Sequence, residues 1–373
     1  MKRRDFLQTS AWVSAALFTP RFLQSSALGA GTGSRTGKIL IVIQLSGGND
    51  GLNTVVPYRN DHYYRLRPSL AIGRDEVLPL TDELGFHPAL APLRELYDEG
   101  VLSVLNSVGY PNPDRSHFRS MDIWHSASPS HEYWTNGWLG RYLDSQCQDC
   151  AIHHALEVDD GLSLALKGEL RKGFAMSNPQ RLRQATRNEV LQAIAQQEYD
   201  AEHEVAYLYK TLTDTQASAD YLWEKSRVHA SQMRYPNTEF GRKLKQIAEL
   251  ITADTDTKVY YLSLGGFDTH AQQKGRQERL LKQYAEGVHA LVRDLQAHQL
   301  FEDTLIMTFS EFGRRVAQNA GGGTDHGTAN NLFLLSGGLR QAGFYNAAPD
   351  LGQLVEDDLQ YEIDFRRVYA TIP

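Results

Sequence analysis

Five residues able to hold a cation or move a proton stand at three glycine-rich junctions. Asp50 lies in Ser46-Gly47-Gly48-Asn49-Asp50-Gly51, and Asp268 and His270 lie in Gly265-Gly266-Phe267-Asp268-Thr269-His270. Glu311 and His326 lie in Ser310-Glu311-Phe312-Gly313 and Gly321-Gly322-Gly323-Thr324-Asp325-His326-Gly327. Asp268 and His270 are one residue apart on a loop, so both side chains can face one point, and His326 between glycines can join them. Carboxylate plus imidazole is a borderline-hard donor set, suited to zinc, manganese or iron and poor for calcium. Asp50 and Glu311 can form a neighbouring, more carboxylate-rich position. One or two divalent metals are therefore expected. A pair of cations about 4 Å apart clamps the oxygens of a phosphoryl or sulfuryl group and activates water or a hydroxyl. The plain alternative is that these are solvated loop acids and caps, a common role for a single strand-end Asp. Five of them at three such junctions point instead to one shared polar site.

The elements that must position them are legible as short apolar runs. Residues 38–45, 258–262 and 304–309 read as buried strands, each delivering its loop at the carboxyl end, where open parallel α/β sheets gather ligands. Residues 86–97 read as a helix with proline in its first turns and residues 101–105 as another buried strand, a strand–helix–strand pattern of doubly wound type. Residues 277–297 form an amphipathic helix leading into the 304–309 strand, a compact βαβ unit. From about residue 188 to 252 the pattern turns to polar helices, and residues 160–255 are expected to be a helical insertion or cap.

After the 101–105 strand, prolines make an irregular loop, and Ser116 falls where a helix would begin. Two readings stand: an N-cap, or a nucleophile in the field of a helix terminus that favours anions. The neighbouring Arg115, His117 and Arg119 strengthen the anion reading.

The chain has 373 residues, 41% of them hydrophobic, with a formal net charge of −7. No basic run occurs beyond the N-terminus, which argues against nucleic-acid binding. The first residues carry Lys2-Arg3-Arg4-Asp5-Phe6-Leu7, then a short, mildly apolar run from Ala11 to Phe18 and small residues near Ala27 and Ala30. This is a twin-arginine signal peptide over residues 1–30, too short in its apolar part to span a bilayer. The mature domain, residues 31–373, is expected in the periplasm or secreted without a transmembrane anchor, with the twin-arginine export machinery as a partner. Cys147 and Cys150, the only two cysteines, lack a second ligand pair for a finger-type zinc site and read as a local disulfide.

Ser46-Gly47-Gly48-Asn49-Asp50-Gly51-Leu52-Asn53-Thr54, Gly266-Phe267-Asp268-Thr269-His270, Ser310-Glu311-Phe312-Gly313-Arg314 and Thr324-Asp325-His326-Gly327 together resemble a large bacterial family. Its members are twin-arginine-exported proteins of unknown function, related to the alkaline phosphatase and sulfatase superfamily. The resemblance implies an alkaline-phosphatase-like, three-layer α/β/α sandwich with a mostly parallel sheet, one or two metals and a Ser, Thr or modified Cys nucleophile. It implies Asp268, His270 and His326 as ligands of a first metal and Asp50 and Glu311 as ligands of a second. The superfamily typically has an Asp-His pair at that second position, whereas Phe312 follows Glu311 here. Ser116 is the implied nucleophile, with Thr54 as the other candidate, and Arg115 or Arg119 would hold the non-bridging oxygens. No Cys-x-Pro-x-Arg motif occurs, which argues against a formylglycine sulfatase. Relatives continue past Val368-Tyr369-Ala370 with another helix, so the chain is expected to end early. Two functions follow: a metal-dependent hydrolase of small or polymeric phosphate or sulfate esters, or a non-catalytic descendant that binds a partner or polysaccharide.

Overall fold

The computed structural model describes residues 37–147, 149–189, 191 and 203–371. The signal peptide expected at residues 1–30 lies outside them. The first strand, β1 (Ile39–Ser46), explains the layering. Its side chains alternate between faces. Ile39, Ile41, Ile43 and Leu45 enter one apolar cluster, and Leu40 and Val42 enter another. A strand buried on both faces belongs between two helical layers.

The elements follow in order. The helix α1 (Ala91–Asp98) precedes β2 (Leu102–Gly109), then α2 (His117–Ser126), α3 (Trp138–Gln146), β3 (Ala155–Glu157) and β4 (Phe174–Ala175). Next come α4 (Pro179–Thr186), α5 (His203–Lys225), α6 (Glu239–Thr252), β5 (Val259–Gly265), α7 (Gln273–Ala297) and β6 (Thr304–Phe309). The chain then gives β7 (Asn330–Leu335), β8 (Gly343–Phe344), β9 (Ile363–Asp364) and α8 (Phe365–Thr371). The nine-stranded sheet runs β8-β2-β7-β6-β1-β5-β3-β4, with β9 also paired to β2. Only β7 runs antiparallel to its neighbours β2 and β6. The α/β/α sandwich with a mostly parallel sheet is therefore as expected.

The βαβ unit of residues 258–309 straddles β1: β5 and β6 each pair with it in parallel and do not touch each other. Ser46 is level with Gly265, and Gln44 with Phe309. Three loops thus leave the sheet side by side.

The expectation for residues 160–255 needs correcting at its end. Phe240, Leu244, Ile247, Leu250 and Ile251 of α6 pack in the same cluster as Leu281, Tyr284, Val288, Leu291 and Leu295 of α7. Fully burying each such side chain contributes about 1.5–3 kcal/mol, so α6 is a layer of the sandwich and not an added cap. Thr238 starts it, its hydroxyl accepting the Gly241 N–H. Helices α4 and α5 are joined through Arg183 and Asp220, 2.8 Å apart, and α5 places Leu222 in the same cluster. Cys147, the residue that ends α3, is bonded to Cys150. No helix among the described residues is long and apolar enough to cross a membrane.

Candidate metal centre

The three loops are fastened by one buried arginine. Arg314 donates from Nε to the Gly48 carbonyl at 2.6 Å and from Nη1 to that of Thr324 at 2.9 Å. Its Nη2 reaches the carbonyls of Gly47 and Phe267 and Oδ1 of Asp268, the last at 2.8 Å. The loops can come this close because residue 47 is glycine. Its φ is +116°, and a Cβ there would lie 2.4 Å from the Asp268 nitrogen, a conformation and an approach that only glycine tolerates.

On this frame three imidazoles are held by the same device. His326 Nδ1 lies 2.7 Å from the Arg115 carbonyl, which can only accept, so Nδ1 carries the proton. His117 Nδ1 donates to Glu311 Oε1 at 2.9 Å, and that oxygen also accepts the Gly47 N–H at 2.7 Å. His270 Nδ1 donates to Asp325 Oδ1 at 3.2 Å, which Asn319 also bonds at 3.1 Å. Each Nε2 therefore presents a lone pair, and all three turn to one carboxylate. His270 and His326 lie 3.1 and 3.3 Å from Asp268 Oδ1, and His117 lies 3.5 Å from Oδ2.

Those lone pairs are what fits the group to a cation. His270 Nε2 and His326 Nε2 approach to 2.9 Å. His117 Nε2 is buried and makes no hydrogen bond. The electrostatics agree at Asp268 and His326 but not at His117. Burial pushes the Asp268 carboxyl up, but Arg314, His326 and His117 outweigh it and hold it down to about 2. Burial pushes the His326 imidazole down, which favours its neutral, ligating form. The Glu311 carboxylate pushes His117 up, against the effect of its burial. An imidazole whose far nitrogen is anchored to a carboxylate or carbonyl is the usual form of a metal-bound histidine. Three imidazoles and one carboxylate suit zinc and are a poor set for calcium or magnesium.

The sequence-read residues divide. Asp268, His270 and His326 are brought together. Glu311 is fully buried at the centre's edge, but its Oε1 orients His117. Asp50 is directed elsewhere: its Oδ2 accepts from Arg67 at 2.6 Å and from Gln273 at 2.5 Å, while Oδ1 is buried without a hydrogen bond. The Arg67 charge already neutralises it, so Asp50 and Glu311 do not assemble the second, carboxylate-rich position expected of them.

Ser116 is exposed, begins α2 and makes no capping bond with its side chain. It sits between Arg115, whose carbonyl holds His326, and His117, whose ring is in the centre. The arginines require correction. Arg115 turns its guanidinium to Asp358 and Glu356, at 3.4 and 3.7 Å. Arg119 is buried, donates to the carbonyls of Ser130 and Glu132, and lies 3.9 Å over the Tyr133 ring. Thr54, the other nucleophile candidate, is fully buried and donates to the Asp50 carbonyl at 2.7 Å.

Sequence reasoning missed His117 as a candidate ligand, reading it only as positive charge near an anion. It also missed Asp325 and Arg314, although both stand inside the quoted motifs. The available signal was the adjacency of His117 to Ser116 at a helix start beyond a strand.

Among solved structures, the chain is similar to the C-terminal periplasmic domain of EptC from Escherichia coli in complex with zinc, at 10% identity and a TM-score of 0.40. That match covers 82% of this chain and 76% of the other. It is similar to the lipoteichoic acid synthase LtaP from Listeria monocytogenes, at 8% identity, 87% and 69% coverage and a TM-score of 0.39. It is also similar to a protein in the alkaline phosphatase superfamily from Vibrio parahaemolyticus, at 9% identity, 94% and 72% coverage and a TM-score of 0.38. No curated protein matches it. Residues 104–372 match a family model described as protein of unknown function, DUF1501, and the chain belongs to that family.

Proposed function

We propose that this protein is an exported, divalent-metal-dependent hydrolase of phosphate or sulfate esters. The observation that carries the reading is the convergence of three anchored imidazole Nε2 atoms on Asp268. His117, Asp268, His270 and His326 would hold the cation, which we take to be zinc from the donor set. A divalent cation there supplies Lewis-acid polarisation of the ester's oxygen and lowers the pKa of an oxygen nucleophile beside it.

The chain's own residues do the rest. Ser116 supplies the attacking hydroxyl: its oxygen bonds to phosphorus or sulfur, the ester alcohol leaves, and water then cleaves the serine ester. The uncapped first turn of α2 offers amide donors and a dipole favourable to the anion. This role passes to the backbone because Arg115 and Arg119 are engaged elsewhere. Glu311, Asp325 and the Arg115 carbonyl keep each histidine in one tautomer. Twin-arginine export, which carries folded and metal-loaded proteins, fits a centre completed before transport, and places the activity in the periplasm or outside the cell.

The test is metal content by elemental mass spectrometry on protein purified without chelator, followed by a screen of phosphate and sulfate esters. The expected result is bound metal and ester turnover. Asp268→Ala or His326→Ala should lose both while staying folded, and Ser116→Ala should keep the metal and lose turnover. A folded, metal-free protein, or unchanged turnover in Asp268→Ala, would sink the reading. Metal without turnover of any ester would favour the non-catalytic, partner-binding alternative.

A further inference from the structure

A second group of potential ligands lies at the far end of α7. His229, Asp294 and His298 each offer one ligand atom, and these atoms lie within 4.8 Å of one another. Asp294 and His298 come from the carboxyl end of α7. His229 comes from residues 226–238, the irregular connector between α5 and α6.

Asp294 is 2% exposed. Its Oδ2 accepts from the Ser231 hydroxyl at 2.5 Å and from the Tyr235 hydroxyl at 2.9 Å. Those hydroxyls satisfy one oxygen but bring no positive charge, and a buried carboxylate without a cation is costly. The imidazoles are the groups that face it. His298 Nδ1 lies 3.5 Å from Oδ1 and donates to the Asp294 carbonyl at 2.8 Å. That carbonyl can only accept, so Nδ1 holds the proton and Nε2 the lone pair. His229 Nε2 is buried and makes no hydrogen bond, and the two rings are 4.7 Å apart, edge to face. A buried acid, an imidazole anchored by a carbonyl and a second imidazole with an unpartnered nitrogen repeat the design of the first centre in miniature.

We propose that His229, Asp294 and His298 form a second divalent-cation site, of zinc-like preference and structural role. Two imidazoles and a carboxylate suit a borderline cation such as zinc, with solvent completing the shell. Its effect is to clip the connector to the end of α7, where Ser231 and Tyr235 already hold it. The group of Cys147, Cys150 and His154 has no such claim, because its two sulfurs are bonded to each other. The new site is separate from the first. Gln273, at the start of α7, reaches Asp50 beside the first centre. The 25-residue helix then runs roughly 37 Å to the second.

The separation makes the two sites independently testable. The first centre is removed with the Asp268→Ala/His326→Ala pair, and the full-length protein is stripped with chelator, dialysed and titrated with zinc ions by calorimetry and elemental analysis. The expected result is about one equivalent of zinc remaining bound, with a rise in Tm of several degrees on loading. Both should vanish on adding His298→Ala or His229→Gln. On otherwise unaltered protein, His229→Gln should lower bound zinc by one equivalent, which keeps the test decisive if the combined variants fold poorly. Zinc binding equally well without His229 and His298 would overturn the site. So would no zinc bound once the first centre is removed, combined with no loss from the unaltered protein on His229→Gln.

Discussion

Glu311 illustrates how a residue type is legible in a sequence while its hydrogen-bond partner is not. An acid at a strand end beside glycines signals a candidate metal centre. What single-sequence reasoning lacked was the rotamer of a neighbour 194 positions away, His117, which takes the carboxylate as a hydrogen-bond acceptor. Asp50 was mistaken for a related reason: nothing in its local pattern announces that Arg67 will bury beside it. On the proposed function Glu311 is a positioning residue, acting on the centre through His117 and the Gly47 amide. Losing such an outer partner typically costs 10–100-fold in metal affinity. Glu311→Gln keeps an acceptor oxygen but removes the charge, so zinc affinity measured by chelator competition should fall by about tenfold. Circular dichroism should be unchanged. An affinity equal to wild type would show that His117 is not a ligand.

Among the elements, the strands and the long helix were legible because their apolar periodicity is strong. β1, β5, β6 and α7 all lie within a few residues of the runs that announced them. What could not be read was order across the sheet. The insertion of β1 between β5 and β6, and of the antiparallel β7 between β6 and β2, is a matter of long-range pairing that leaves no local mark. The misreading of α6 has the same origin: its polar outer face resembles a surface helix, while its inner face packs on α7. The loops depend on that hidden order, since Arg314 can fasten three of them only because their strands are neighbours. Its planar fork donates to four carbonyls and the Asp268 carboxylate. Lysine cannot reproduce such a fork. Arg314→Lys would leave several buried carbonyls unsatisfied, at about 1–3 kcal/mol each. Denaturant unfolding should report a loss of several kcal/mol together with weakened metal binding. A variant as stable as wild type would mean that the loops hold themselves in place.

For the molecule as a whole, burial of titratable groups sets the direction of its pH response. His87, His125 and His154 are all pushed down to about 4, chiefly by burial. His125 lies wholly within the core, its Nε2 3.0 Å from both Gln44 Oε1 and the Tyr261 hydroxyl. A histidine whose folded pKa lies below its unfolded value of about 6.5 contributes stability that is complete above pH 6.5. That stability is lost as pH falls towards 4, because the unfolded chain takes up the proton first. Glu157 works the other way. Burial pushes its carboxyl up to about 7, so its ionisation opposes folding increasingly as pH rises from about 4.5 to 7. Three histidines against one glutamate leave a net uptake of protons on unfolding between pH 6.5 and 4.5. Each uncompensated proton gives a slope of roughly 1.4 kcal/mol per pH unit. Stability measured by urea unfolding of metal-free protein should therefore fall steeply over that window. Glu157→Gln should steepen the fall while raising stability above pH 7. His125→Gln, which keeps a donor towards Gln44, should flatten the fall by about one proton's worth. A profile flat from pH 6.5 to 4.5 in the unaltered protein would mean that these histidines are hydrated and charge freely, contrary to the packing that encloses them.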